Sequence, residues 1–455
     1  MPEQETPRTA PANGLSSPDR SDATRVVLAS LVGTSIEWYE FFIYGTAAAL
    51  VFGKLFFPSF DPRVGTLLSL STFALAFVAR PLGAVLFGHF GDRLGRKSML
   101  VVTLSLMGAA TFCIGLLPTY DSIGAAAPIL LVLLRVVQGL SLGGEYGGAV
   151  LMSVEHSGRQ RRGFFGAVVN TGAAWGLLLA TVVFLVVSRL SDAAFASWGW
   201  RVPFLLSIVL VAIGLFIRLK LTESPEFEQV KRRGEVRRAP IVEVLAKHWR
   251  LAVLMCLSYI SAGVTFYIAT VFSLSYGVTH LHVKRDLILQ LVLAINVLTI
   301  VGIPFFGWLS DRVDRKKIFI AGIAGMAVLP YVWFATLDTR SFGWMLLGFV
   351  LLFIPYTANY GTMPAFYAQV FPPAVRYTGM SLGYTLGTVL GSALAPIIAT
   401  WLLDVTGSWV GIAVYMSTAG LVSFGAALYL AERPAGAPGD APPALTGEAA
   451  SAAAS

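Results

Sequence analysis

The sequence is poor in charge. Only 13% of its 455 residues are Asp, Glu, Lys or Arg, about half the share in a soluble globular chain. A soluble protein of this length would divide into several domains with charged surfaces between them, and that arrangement is excluded. Cysteine is scarcer still. Cys113 and Cys256 both lie in apolar runs and are expected as buried free thiols. A disulfide framework is excluded and no metal site is expected. No Ser/His/Asp set and no metal-spaced His/Cys cluster occurs, so the chain is not read as an enzyme and no cofactor is implied.

Apolar residues fill the space that charge leaves. They make up 56% of the chain and recur in runs of about 20 residues, enough to cross a hydrocarbon layer of about 30 Å as a helix. In lipid the backbone must satisfy its own hydrogen bonds, so each run is expected to be helical. Twelve spans result, at roughly 26–52, 64–90, 99–117, 128–152, 163–189, 200–219, 250–276, 286–309, 317–336, 342–367, 378–403 and 409–431. Residues 1–24 and 433–455 are polar or Ala/Pro/Gly-rich and are expected as disordered cytoplasmic tails. The fold class is an all-α polytopic membrane protein. It has an N-terminal six-helix bundle over 25–219, a cytoplasmic inter-bundle loop over 220–249 and a C-terminal six-helix bundle over 250–432. With the N-terminus inside, 24 of the 33 Lys and Arg fall on tails and cytoplasmic loops and seven on the outer side. That bias places both termini in the cytoplasm. It also accounts for the net charge of +8 without nucleic acid.

An internal repeat supports two halves. Gly88-His-Phe-Gly-Asp-Arg-Leu-Gly-Arg-Lys97 closes the second span and Gly307-Trp-Leu-Ser-Asp-Arg-Val-Asp-Arg-Lys316 the eighth, with five identities at an offset of 219. They read as a cytoplasmic gate. Gly88 permits close helix approach. Asp92 and Asp311 can accept hydrogen bonds at a neighbouring helix N-terminus. Arg93, Arg96, Arg312 and Arg315 face the inner leaflet or neighbouring carboxylates.

These segments resemble the loop signature of the major facilitator superfamily. Gly33–Gly45, Arg80–Gly83, Arg135–Gly139, Gly143–Gly148, Trp198–Phe204 and Arg376–Gly379 are similar to the metabolite:proton symporter family, which includes the α-ketoglutarate, proline/betaine and shikimate permeases. The resemblance covers about 25–432, and 128–156 with Glu223–Phe227 look nearest to the shikimate branch. It implies the major facilitator fold and proton-coupled uptake of a small metabolite. Thr34, Glu40 and Gln369 depart from the family's usual Asn, Asp and Glu. Glu40 keeps its charge on a longer arm, and Gln369 cannot carry a proton.

Charges inside the spans carry the functional reading. Glu37, Glu40, Arg80, Arg135 and Glu145 would together cost roughly 12–17 kcal/mol if left alone in lipid, so they must pair or line a wet cavity. Glu37, Glu40 and Glu145 are candidate proton-coupling groups, because a carboxylate withdrawn from water favours its neutral form. Arg135 with Gln138 can hold a carboxylate by a bidentate fork. Arg80 is a second anchor or the partner of Glu37. Tyr44 shares a face with the two acids of the first span. In the second half Tyr356, Tyr360 and Tyr367 share a face and, with Trp175, can wall a small solute. Asn296 and Asn359 are costly in lipid unless used. The expected molecule is a monomeric proton symporter of an organic acid or zwitterion working by alternating access between its halves. Its partners are a carboxylate-bearing metabolite, protons and the lipid bilayer. A uniporter or exchanger on the same fold is the rival, and a transporter-like receptor the more distant one.

Overall fold

A computed structural model describes residues 20–432. The expected tails lie outside the described residues, except that Arg20–Thr24 begin the first helix. Among the described residues there is no strand. Eleven helices are long and apolar enough to cross a membrane. They are α1 Ala23–Phe56, α2 Leu67–Leu94, α3 Arg96–Leu116, α4 Ala126–His156, α5 Arg162–Val187, α6 Gly199–Leu219, α7 Trp249–Thr279, α8 Leu287–Ser310, α10 Phe342–Tyr367, α11 Pro373–Thr406 and α12 Trp409–Tyr429. The twelfth crossing, α9, is a bent pair, Arg315–Val328 and Pro330–Asp338, meeting at 42°. Pro330 has no N–H to donate, and its ring clashes with the preceding turn, which bends the helix there.

Helices α1–α6 form one bundle and α7–α12 the other. Small residues set their closest contacts. A Cβ on Gly139 of α4 would stand 2.6 Å from the Ala76 carbonyl of α2, so those two helices touch backbone to backbone. Glycines recur at every fourth position in α11, at 379, 383, 387 and 391, and Gly383, Gly387 and Gly391 pack on α7 of the same bundle against Met255, Tyr259 and Ile260. The far half of the first bundle is filled by Phe52, Phe56, Trp200 and Phe204 in edge-to-face and tilted contacts. Large apolar side chains such as Val78 and Leu82 stand about two-thirds exposed on the outer flank, as a lipid-facing surface requires. Cys256 is buried, but Cys113 is exposed on the flank of α3, because apolar sequence does not distinguish core from lipid.

Two features lie beyond the sequence reading. The inter-bundle segment holds two short helices, Pro225–Arg232 and Pro240–Lys247. The first is capped by Ser224, whose Oγ accepts from Phe227 N at 3.1 Å. The other feature is a set of π-turns, at Ala48–Phe52 in α1 and Ile268–Phe272 in α7, at matching places in the two halves, and at Val389–Ala393 in α11. Such turns carry one extra residue in the helical ladder.

Candidate functional site

The halves part around a central cavity with about 620 Å³ of empty space, open in part to its surroundings, which adjoins a second, similarly open chamber of about 510 Å³ toward the end that carries the termini. Trp38, Arg80, Asn170, Tyr360, Tyr384 and Thr388 border both. The first bundle contributes one cation. The second contributes hydroxyls and amides from Tyr259, Tyr267, Asn296, Thr299 and Tyr356.

Arg80 is the only Lys or Arg among the described residues lining either chamber. Its guanidinium carbon stands 4.5 Å from the Phe77 ring centre, 4.9 Å from Phe41 and 5.5 Å from Trp38. Those faces hold a cation by its charge and leave its N–H groups free. Nε and Nη2 have no hydrogen-bond partner in the protein.

A second charged group occupies the termini-side chamber. Glu37 and Glu145 line it. Behind them stands Arg218, fully buried, although it lies at the end of the expected 200–219 span and the count of basic residues on each side of the membrane groups it with the cytoplasmic loop that follows. Both terminal nitrogens of Arg218 hold Glu145, with Nη1–Oε2 at 3.2 Å. Nη1 also donates to the Leu100 carbonyl at 2.5 Å, and Glu37 Oε1 stands 3.8 Å from it. Thr103 donates to Glu145 Oε2 at 3.2 Å. Arg218 crosses α1 at Gly33, where any Cβ would fall inside the guanidinium. The sequence held a signal for it. Ser207, Val211, Gly214 and Arg218 recur at helical spacing and are all buried, so Arg218 continues the inward face of α6. Glu37 is thus partnered by Arg218, not by Arg80.

Other expected site residues stand off the cavity. Arg135 folds onto its own helix, with Nη1 donating to Gln138 Oε1 at 2.9 Å and Nη2 to the Phe73 carbonyl at 3.4 Å. Its guanidinium carbon lies 4.1 Å from the Tyr44 ring centre. Gln138 donates to Thr111 at 2.7 Å, and Tyr44 pairs with Thr72 at 2.5 Å. The three-residue spacing that looked like a fork for a ligand lets Gln138 satisfy Arg135 instead. Glu40 is fully buried, with neither carboxylate oxygen hydrogen-bonded, and borders neither chamber. Trp175 is 43% exposed. The cavity face of α5 runs through Asn170, Ala174 and Leu177, and Trp175 sits about 100° off it. Asn359 donates to the Phe319 carbonyl at 3.2 Å inside the second bundle, and Tyr367 is bonded to Ser258. Asn296, Tyr356 and Tyr360 do face the cavity.

The termini end is closed by two matching latches. The Asp92 carboxylate accepts from Tyr377 N at 3.2 Å and Thr378 N at 2.9 Å, in the opening turn of α11. The Asp311 carboxylate accepts from Gly163 N at 2.7 Å and Phe164 N at 2.9 Å, in the opening turn of α5. Each therefore joins one bundle to the other through a helix N-terminus. Arg96 backs Asp92 at 3.7 Å and Arg315 backs Asp311 at 3.6 Å. Arg93 and Arg312 turn outward, to His89 and to the Trp308 ring. The short linker helix adds a strap, since Glu226 pairs with Arg162 of α5 and with Arg376 of α11. Burial alone would push the Glu226 carboxyl up, but Arg376 and Arg162 outweigh it and hold it below the usual carboxylate range. Burial raises Asp311 despite the amides of Phe164 and Gly163.

A Cβ at Gly88 would lie 2.9 Å from the Thr378 Cα. Gly88→Val is therefore expected to hold this latch apart. Amide exchange in residues 376–380 should accelerate at least tenfold, and net transport should fall by a similar factor.

Three comparisons set this geometry among known proteins. Residues 26–248 match the family described as sugar (and other) transporter, and 278–452 match the Major Facilitator Superfamily. The shikimate transporter of Escherichia coli (strain K12) is 39% identical over 427 residues, covering 93% of this chain and 97% of that protein. The proline/betaine transporter of the same organism is 34% identical, covering 85% and 79%. Among solved structures, the proton:xylose symporter XylE bound to 6-bromo-6-deoxy-D-glucose superposes with a TM-score of 0.68 at 17% identity, covering 90% of this chain and 95% of that one. That likeness establishes the fold. The relatives are membrane transporters, not enzymes. With twelve apolar crossings, an inter-bundle cavity and relatives alike over nearly its whole length, the chain belongs to the major facilitator superfamily, in its metabolite:proton symporter family.

Proposed function

We propose that this protein is a proton-coupled symporter of a small carboxylate-bearing metabolite, an organic acid or a zwitterion, working as a monomer in a bacterial inner membrane. Arg80 carries the reading. A guanidinium that lines the cavity, is caged by aromatic faces and has two nitrogens without a partner in the protein suits a carboxylate. The tyrosine hydroxyls and Asn296 opposite it suit the hydroxyl groups of a small ring or chain. Glu37 and Glu145 on the adjoining chamber are the acidic groups in reach of the same water. The basic residues crowding the termini end, Lys97, Lys231, Arg232 and Arg238 among them, support cytoplasmic termini. The two bundles rock about the cavity, and the Asp92 and Asp311 latches close the cytoplasmic side.

The energetics set what such a carrier can achieve. A proton accompanying a neutral solute across 100 mV releases about 2.3 kcal/mol, which supports roughly 40-fold accumulation. A proton accompanying a monoanion moves no net charge and draws only on the pH difference. The test is uptake into proteoliposomes of a panel of hydroxy acids, including shikimate, and of zwitterions such as glycine betaine and proline. We expect at least one carboxylate to accumulate tenfold or more under an inside-alkaline gradient and to be released by a protonophore. Uptake that ignores the gradient throughout would favour the uniporter reading.

A further inference from the structure

The triad of Glu37, Glu145 and Arg218 contains two acids and one base. Arg218 directs both terminal nitrogens to Glu145 and reaches Glu37 only at 3.8 Å. Glu37 Oε1 has no hydrogen-bond partner, its side chain is almost wholly buried, and it borders the termini-side chamber. Arg80 borders the same chamber. The groups facing Glu37 are Glu145 and Tyr146 from α4, Arg218 from α6, Arg80 from α2, Tyr360 from α10, and Tyr377 and Tyr384 from α11, with Glu40 one turn along α1. From α5 the chamber receives only the uncharged Asn170 and Val169, and from α3 Thr103 bonds Glu145.

The starting point is a chamber around which Glu37, Glu145, Arg218 and Arg80 are all charged. Ionised Glu37 and Glu145 offset Arg218 and Arg80. A monoanion seated on Arg80 adds one negative charge to a site where uncompensated charge is expensive. A proton that enters the site from bulk solvent and is taken by Glu37 Oε1 restores neutrality. A zwitterion adds no net charge and calls for no proton. We propose that Glu37 is the proton-carrying carboxylate of this transporter, that Arg218 is a positioning residue engaged by Glu145, and that the charge of the substrate decides whether Glu37 takes up its proton. The proposal rests on Arg80 as the carboxylate anchor.

The test is calorimetric titration of the purified full-length protein near pH 7.5, in two buffers of different ionisation enthalpy, with shikimate as the monoanion and glycine betaine as the zwitterion. Shikimate should bind with uptake of about one proton and glycine betaine with about none. Glu37→Gln should bind shikimate with no proton uptake. Arg218→Lys, whose single ammonium cannot fork onto Glu145, should lower the pH at which uptake is half complete by about one unit. If Glu37→Gln cannot be purified, Glu37→Asp must retain the uptake with a displaced midpoint. Full proton uptake by Glu37→Gln, an unmoved midpoint in Glu37→Asp or Arg218→Lys, or equal uptake for both ligands overturns the proposal. Shikimate affinity that is indifferent to Arg80→Ala strikes the anchor itself, which separates the two failures.

Discussion

Arg80→Ala is expected to abolish carboxylate binding and transport while leaving the protein as stable as before, or slightly more so. Two charge-assisted bonds at about 1.5 kcal/mol each amount to about 3 kcal/mol, over 100-fold in affinity. The stability half of the prediction follows from the surroundings. No Asp or Glu forms an ion pair with Arg80 among the described residues, so its removal orphans no buried acid. A guanidinium at mid-membrane itself costs about 2.5–3.5 kcal/mol on insertion scales, and the aromatic faces offset only part of that. Arg80→Lys should recover little, because an ammonium cannot fork onto a carboxylate. Substrate titration and a thermal melt in detergent check both halves. A melting point lowered by several degrees would mean that Arg80 is a structural cation, and wild-type affinity would remove it from the site.

Arg135→Ala should show the reverse pattern. This guanidinium lies against Tyr44, Phe41 and Phe73, holds Gln138 and reaches the Phe73 carbonyl. Truncation leaves a void among three rings and strips Gln138 Oε1 of its donor, a loss of about 3–5 kcal/mol. Yield and melting temperature should fall sharply, while the folded fraction keeps its substrate Kd within about threefold. Arg135→Met, which keeps most of the volume, should recover about half of the stability. Normal stability with lost binding would instead make Arg135 a substrate ligand and displace Arg80 from that role.

The contrast between these two arginines shows where sequence reading stops. Both sit in apolar helices, and both are flanked by aromatic residues, all but Phe77 beside Arg80 distant in sequence. Lipid forces each apolar run into a helix, so the crossings were legible to within a few residues, and even the bent α9 lay under the expected 317–336. The rotation of each helix about its axis is set by packing. That rotation turns Arg80 to the cavity and Arg135 into the bundle. Glu37 and Glu40 differ in the same way, three residues apart on one helix with only the first on a chamber. Arg218 escaped for another reason. Counting basic residues by loop assigns a charge near a helix end to the surface, while the inward face of α6 carries it to Glu145. The latch was legible because its aspartates recur at a fixed offset and helix N-termini attract anions.

The π-turns at Ala48–Phe52, Ile268–Phe272 and Val389–Ala393 bear on the length of the chain. Each holds one surplus residue, and a helix with a surplus has somewhere to absorb a loss. Deleting one residue there lets the turn relax to ordinary α-helix and leaves the faces on both sides as they were. The same deletion a few turns away would swing every later side chain by about 100° and unseat it from its neighbours. Tolerance to shortening is thus confined to three stretches among the described residues, two at matching places in the two halves and the third in α11.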